Sequence, residues 1–280
     1  MGSRVLPDWT ELTPECLLDI FSRLSIGQLW NGPMLVCKTW TKLCHDPSLN
    51  ITLDLEAEFL SSEDSNHWWS PEFEEKVDST IRSVVDRSKG GLKEIRVRHC
   101  TDQSLSYVAE RCPNLEVLGV TYSPKITVES MRKIASNCTK LIELDISCSY
   151  EISGYCIELV GTSCKNIHIL KRNLMRPLEI TRLKRQCIYV KHLELRFSTL
   201  TDRALSKLCK QCSNLEYLDL FGCSYLTSDC ITTSTSTTFF FIPDQMGSRV
   251  HPDWTELPPE CLLGIFSRLS MGQRRNGQML

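Results

Sequence analysis

Fifteen cysteines in a chain of 280 residues could act as metal ligands, redox pairs, nucleophiles or small buried side chains. Cys209 and Cys212 form a C-x-x-C pair, half of a zinc site or a dithiol. No second half follows at ligand spacing, and His45, His67, His99, His168, His192 and His251 are scattered without a metal pattern. Neither a G-x-S-x-G nor a phosphate-cradling glycine loop is present. The expectation is therefore a chain with no metal, no cofactor and no catalytic residue.

The cysteines instead mark a repeat. Cys112–Leu115–Leu118–Val120, Cys138–Leu141–Leu144–Ile146, Cys187–Val190–Leu193–Leu195 and Cys212–Leu215–Leu218–Leu220 share one spacing. A first unit, Leu92–Ile95–Val97, lacks the leading Cys, and the unit Cys164–Ile167–Leu170 carries Arg172 in place of the third aliphatic. Cys-to-Cys periods of 26, 26, 23 and 25 residues belong to leucine-rich repeats. Apolar residues seven and four positions before each Cys (Leu105/Val108, Met131/Ile134, Ile157/Val160, Ile180/Leu183, Leu205/Leu208) fit one helical face, and the closing spacing of two fits a strand. Thr, Ser or Asp before each helix can cap it. A single unit cannot bury its own apolar face, so the units must stack into a curved solenoid with a parallel sheet inside. The cysteines, including Cys100, Cys148 and Cys223 after the strands, are expected to fill tight turns as small side chains.

The front of the chain reads differently. In "LTPECLLDIFSRLS", Thr13 caps a helix that Pro14 opens, and Leu17, Ile20, Phe21 and Leu24 share a stripe. "QLWNGPMLVCKTWTKL" adds helical sequence broken at Gly32–Pro33, and "HDPSL" ends it. Three short helices are expected, with Leu12, Leu18 and Leu29 facing outward or toward a partner. Residues 51–91 form a less periodic join, whose helical spacing at Val77, Ile81 and Val84/Val85 ends at Gly90–Gly91 and is expected to open the solenoid and cover its first edge.

The composition is that of a globular protein, and a net charge of −2 gives no reason to expect nucleic acid or an anionic membrane as partner. No segment is long enough to span a bilayer, and no apolar leader opens the chain, so reduced thiols in the nucleus or cytoplasm are expected.

The front segment, with Val36–Cys37, Lys38, Trp40 and "CHDPSL" following, resembles the F-box motif. An F-box followed by cysteine-containing leucine-rich repeats is similar to the plant-type members of the F-box/LRR family, over nearly all of residues 8–232. Thr13 departs from the family's usual proline. The resemblance implies a non-catalytic substrate receptor of an SCF (Skp, cullin, F-box) ubiquitin ligase. Leu12, Pro14, Leu17, Leu18, Ile20, Phe21, Leu24, Val36, Cys37 and Trp40 would meet the Skp-type adaptor, which links to a cullin, and the repeats would hold an unknown protein substrate. A scaffold without ubiquitination is the alternative, and a cysteine-nucleophile ligase is disfavoured because each repeat Cys has a packing role.

The organisation is thus α/β: an F-box at 8–50, the join at 51–91, about six repeats over 92–232, a low-complexity linker at 233–245 and a partial copy at 246–280. On the concave face, Arg96, Gly119, Asp145, Lys171, Glu194 and Asp219 are expected in one row, and Arg98, Thr121, Ser147, Asn173, Arg196 and Phe221 in a second. Their charged members and Phe221 are the substrate-binding candidates, and the mixed charge suits a protein surface. The copy at 246–280 matches 1–35 with seven differences and stops before any counterpart of Val36, Cys37 or Trp40. It is expected to be either a truncated tandem remnant or, through a helix over 258–269, a cap on the solenoid.

Overall fold

A computed structural model describes residues 12–56, 59, 70–174, 189–227 and 239–241. Helix α1 (Pro14–Phe21) starts where the Thr13 hydroxyl accepts the Cys16 N–H, and Pro14 at its first position loses no bond. Helix α2 (Ile26–Asn31) carries a reciprocal cap, the Ser25 N–H donating to Gln28 Oε1 at 2.9 Å and the Gln28 N–H to Ser25 Oγ at 3.2 Å. Gly32–Pro33 ends it, and a 3₁₀ turn (Pro33–Leu35) leads to α3 (Lys38–Cys44). Leu17, Phe21, Leu29, Cys44 and Leu49 form the small core of this module, with Trp40 edge-on to Phe21 at 5.2 Å.

The solenoid follows as β1 (Thr52–Asp54), α4 (Pro71–Ser88), β2 (Glu94–Arg98), α5 (Asp102–Arg111), β3 (Val117–Thr121), α6 (Val128–Asn137), β4 (Glu143–Asp145), α7 (Gly154–Ser163), β5 (Ile169–Lys171), β6 (His192–Glu194), α8 (Asp202–Gln211), β7 (Tyr217–Asp219) and β8 (Phe239–Phe241). All eight strands pair parallel in chain order, as right-handed repeats with one strand each require. β1 lies inside the segment expected as a join, and it makes that segment the first coil of the sheet.

The aliphatic ladder is the core. Ile95, Leu118, Leu144, Leu170, Leu193 and Leu218 stand in one register row, each at most 2% exposed. Each contributes about 1.5–3 kcal/mol of transfer free energy. Arg172, one residue past β5, replaces an aliphatic at 1% exposure and donates Nη1 to the Ile146 carbonyl at 2.7 Å and Nη2 to that of Ile152 at 2.8 Å. Carbonyls of the neighbouring coil thereby compensate part of its desolvation.

The helix-end cysteines do more than fill space. Cys138 Sγ donates to the Cys112 carbonyl and Cys164 Sγ to the Cys138 carbonyl, each at 3.4 Å, so the thiols staple successive coils. Aspartates do the same at the helix starts: Asp102 takes the N–H of Thr127 at 2.7 Å, and Asp202 that of Thr227 at 2.9 Å. The sequence groups Cys148 with Cys100 and Cys223, but the structure separates it: Cys148 holds a left-handed backbone at φ 60°, and Cys100 and Cys223 do not. The helix expected around Ile180 and Leu183, the repeat position Cys187, and the segments 228–238 and 242–280, including the partial copy, lie outside the described residues.

Candidate functional site

The helical module turns two of its residues to the solenoid. Ile26 joins the solenoid core, and Trp30 packs against both cores beneath the Arg87 guanidinium, 4.8 Å from its ring centre. The module is therefore anchored on one side. On the rest of it, the chain after Gly32 runs through a 3₁₀ turn that packs Met34 on the module's core and leaves the two side chains after Met34 outward. Leu35 is consequently 76% exposed and Val36 61%. Thr41 fixes this turn, its hydroxyl donating to the Met34 carbonyl at 2.8 Å.

The adaptor candidates divide by burial. Pro14, Ile20, Val36 and Cys37 are exposed, and Leu12, Leu18, Leu24 and Trp40 are half-buried. Leu17 and Phe21 are buried in the module's own core, so their contribution is to hold α1 in place. Leu29, expected outward, is buried at 4% because α2 packs it into the core with Leu17 and Phe21 of α1. Leu35, the most exposed large apolar side chain among the described residues, is absent from the sequence-based set.

On the concave face the register places Arg96, Gly119, Asp145, Lys171, Glu194 and Asp219 in one row, strand to strand. Arg98 is paired with Thr121 at the start of the second row. The charges are tied together. Arg96 donates to Glu94 at 2.7 Å and bidentately to Glu143 at 2.9 and 3.0 Å. Lys171 reaches Glu143 at 3.1 Å and Glu194 at 3.8 Å, and Arg196 reaches Asp219 at 2.6 Å and Glu194 at 4.0 Å. Arg98, buried, meets Glu56 at 2.7 Å. These ties hold the Arg96 guanidinium firmly protonated, chiefly through Glu143. For Glu143, burial pushes the carboxyl pKa up, but hydrogen bonds from Arg96 and Lys171 bring it below its ordinary value.

Beside the ladder runs a second strip that side-chain type does not reveal. His99, Tyr122, Cys148, Leu174 and Phe197 each take a left-handed backbone, φ 48–60°, and Gly222 follows at 72°. A Cβ on Gly222 would lie 2.2 Å from the Phe197 ring, so this last place requires glycine. Tyr122 and Cys148 pack with Tyr150, Leu174 and Phe197 into a small apolar cluster apart from the main core. A signal was present in the spacing of these residues, but their types share no property.

A cavity of about 350 Å³ opens where the charged rows meet this strip. Of the substrate candidates, Arg96, Arg98, Asp145, Lys171 and Arg196 line it, and Glu194, Asp219 and Phe221 do not. Asp219 is buried at 1% and serves Arg196. The thiols are shielded: burial pushes Cys100, Cys112 and Cys138 up to about 12 and Cys164 and Cys223 to about 11. Among the described residues no group of three or more His, Cys, Asp or Glu is placed to hold a metal, and no helix is long and apolar enough to cross a membrane.

Residues 9–56 match the F-box-like family. Among Arabidopsis thaliana proteins, F-box/LRR-repeat protein 19 is 54% identical over 259 residues, spanning 84% of this chain and 86% of its own length. F-box protein SKIP1 is 48% identical over 250 residues, spanning 82% and 83%. The chain belongs to the F-box/LRR family. The F-box is thus the three-helix module, and the leucine-rich repeats are the coils behind it. A chain from the crystal structure of the yeast Rad7 and Elc1 complex is similar at 19% identity and a TM-score of 0.46, covering 58% of this chain and 43% of that one, too distant to argue from.

Proposed function

We propose that this F-box/LRR protein is the substrate-recognition subunit of an SCF-type ubiquitin ligase, its F-box docking on a Skp-type adaptor and, through it, a cullin, while the repeats hold the protein to be ubiquitinated. The observation that carries the reading is Leu35–Val36. Two consecutive apolar side chains stand in water on a module whose core is already filled and whose other side is fixed to the solenoid. Exposed apolar surface on so small a module calls for a partner.

Within that reading the chain itself performs no chemistry. Support comes from the repeat thiols, which burial keeps protonated at neutral pH. The alternating charge of the concave face favours a protein over a phosphate backbone.

Reconstitution tests this. The purified chain is mixed with a Skp-type adaptor, a cullin–RING pair, E1, E2 and ubiquitin, and the adaptor complex and ubiquitin conjugates are assayed. Adaptor binding with transfer to a bound protein is expected. Absence of any adaptor complex would contradict the proposal, and binding without transfer would favour a scaffold.

A further inference from the structure

The concave cavity is walled by charges that are almost all spent on one another. Four cations face or flank it, Arg96, Arg98, Lys171 and Arg196, and each has a carboxylate within 3.1 Å. The carboxylates that neutralise them are Glu56, Glu94, Glu143, Glu194 and Asp219, one more than the cations.

Asp145 is different. It lines the same cavity, in the middle of its row between Gly119 and Lys171, and forms no ion pair among the described residues. Its carboxylate is met by Ser147, whose N–H donates at 3.0 Å. Of these six carboxylates only Glu56 and Asp145 line the cavity, and Glu56 is paired with Arg98, so Asp145 is the lining acid without an ion pair among the described residues. Burial raises the Asp145 carboxyl above its ordinary value, more than Ser147 and Lys171 lower it, as expected of an acid waiting for a counter-charge.

The space in front of Asp145 exists because of Gly119. Its backbone is not left-handed, and a Cβ there would only touch the Arg96 side chain at 3.4 Å, so its lack of a side chain opens the cavity without relieving strain. Tyr122, Leu174 and Phe197, members of one apolar cluster, also line it. An acid at the base and an apolar wall match a side chain with a cationic head and a methylene stem. An anionic ligand would have to displace a carboxylate from each cation it met.

We infer that this cavity is the seat for a lysine or arginine side chain of the recognised protein, with Asp145 as its counter-charge and Tyr122, Leu174 and Phe197 along its stem. This rests on the receptor reading above, and it narrows the substrate class to proteins that present an exposed basic residue flanked by apolar ones.

The test is selection of a phage-displayed random dodecapeptide library on the full chain in complex with its adaptor. The expected consensus carries a fixed Arg or Lys. A selected peptide, resynthesised, should bind at least about tenfold more weakly to Asp145→Asn, whose melting curve should be unchanged, and to Gly119→Leu, which fills the cavity, with adaptor binding unchanged in both. An acidic or phosphate-mimicking consensus, no enrichment, or affinities that ignore both substitutions would overturn the inference and leave the receptor reading intact. A basic consensus from a chain that captures no adaptor would do the reverse.

Discussion

The Arg96 guanidinium crosses over Gly119, on the neighbouring strand, to meet Glu143 two strands away, with both terminal nitrogens within 3.0 Å of the carboxylate. A Cβ at Gly119 would only touch the Arg96 side chain, at 3.4 Å, and its absence leaves space in the cavity that Asp145 also lines. One glycine thus joins a stabilising ladder to a candidate binding cavity.

Glu143 anchors both Arg96 and Lys171 from a buried position. Glu143→Ala is expected to lower stability in urea titration by about 1–3 kcal/mol, since Arg96 and Lys171 each lose one of their two carboxylates. The Asp19–Arg23 pair on α1 is largely exposed. Asp19→Ala should therefore leave the urea midpoint unchanged within error.

Acid should weaken the first repeats through His99. Its ring is buried among Phe59, Phe73 and Tyr122, and burial first, then the nearby Arg98 charge, push its pKa down to about 4. A depressed folded pKa means the contribution is full above the unfolded value near 6.5 and is lost as pH falls toward 4. Melting curves over that range should show a loss of roughly 3 kcal/mol from this group. His99→Asn, which tolerates the left-handed backbone, should flatten that slope; an unchanged slope would show that His99 does not carry it.

The thiols should sort by place. Iodoacetamide on the native chain, read by mass spectrometry, is expected to label the exposed Cys16 and Cys37 and to spare Cys100, Cys112 and Cys138 until denaturant is added. Adaptor binding should protect Cys37. Rapid native labelling of Cys138 would contradict its role as an inter-coil staple.

Much of this architecture is legible in the chain because each repeat states its own register. The row from Arg96 to Asp219 falls on consecutive strands as the Cys-anchored spacing requires, and Arg172 falls at the core position that the spacing assigns it. What the sequence hides depends on contacts between distant residues. Thr52–Asp54 is a strand only because β2 offers it an edge, and three residues carry no period. Leu29 is buried because it packs into the core with Leu17 and Phe21, and Leu35 is exposed because it lies in the turn after Gly32; neither follows from helical spacing. The strip from Tyr122 to Phe197 is defined by backbone conformation, which side-chain type does not encode.

On the proposed function, the F-box binds a Skp-type adaptor through Leu35 and Val36. Isothermal titration of the purified adaptor into the full chain and into the double variant Leu35→Ser/Val36→Ser measures it directly. Both positions are exposed, so the variant should melt like the parent. The expected result is saturable binding to the parent and affinity reduced at least about a hundredfold in the variant. Equal affinity for both chains, or no binding to the parent, would contradict the account.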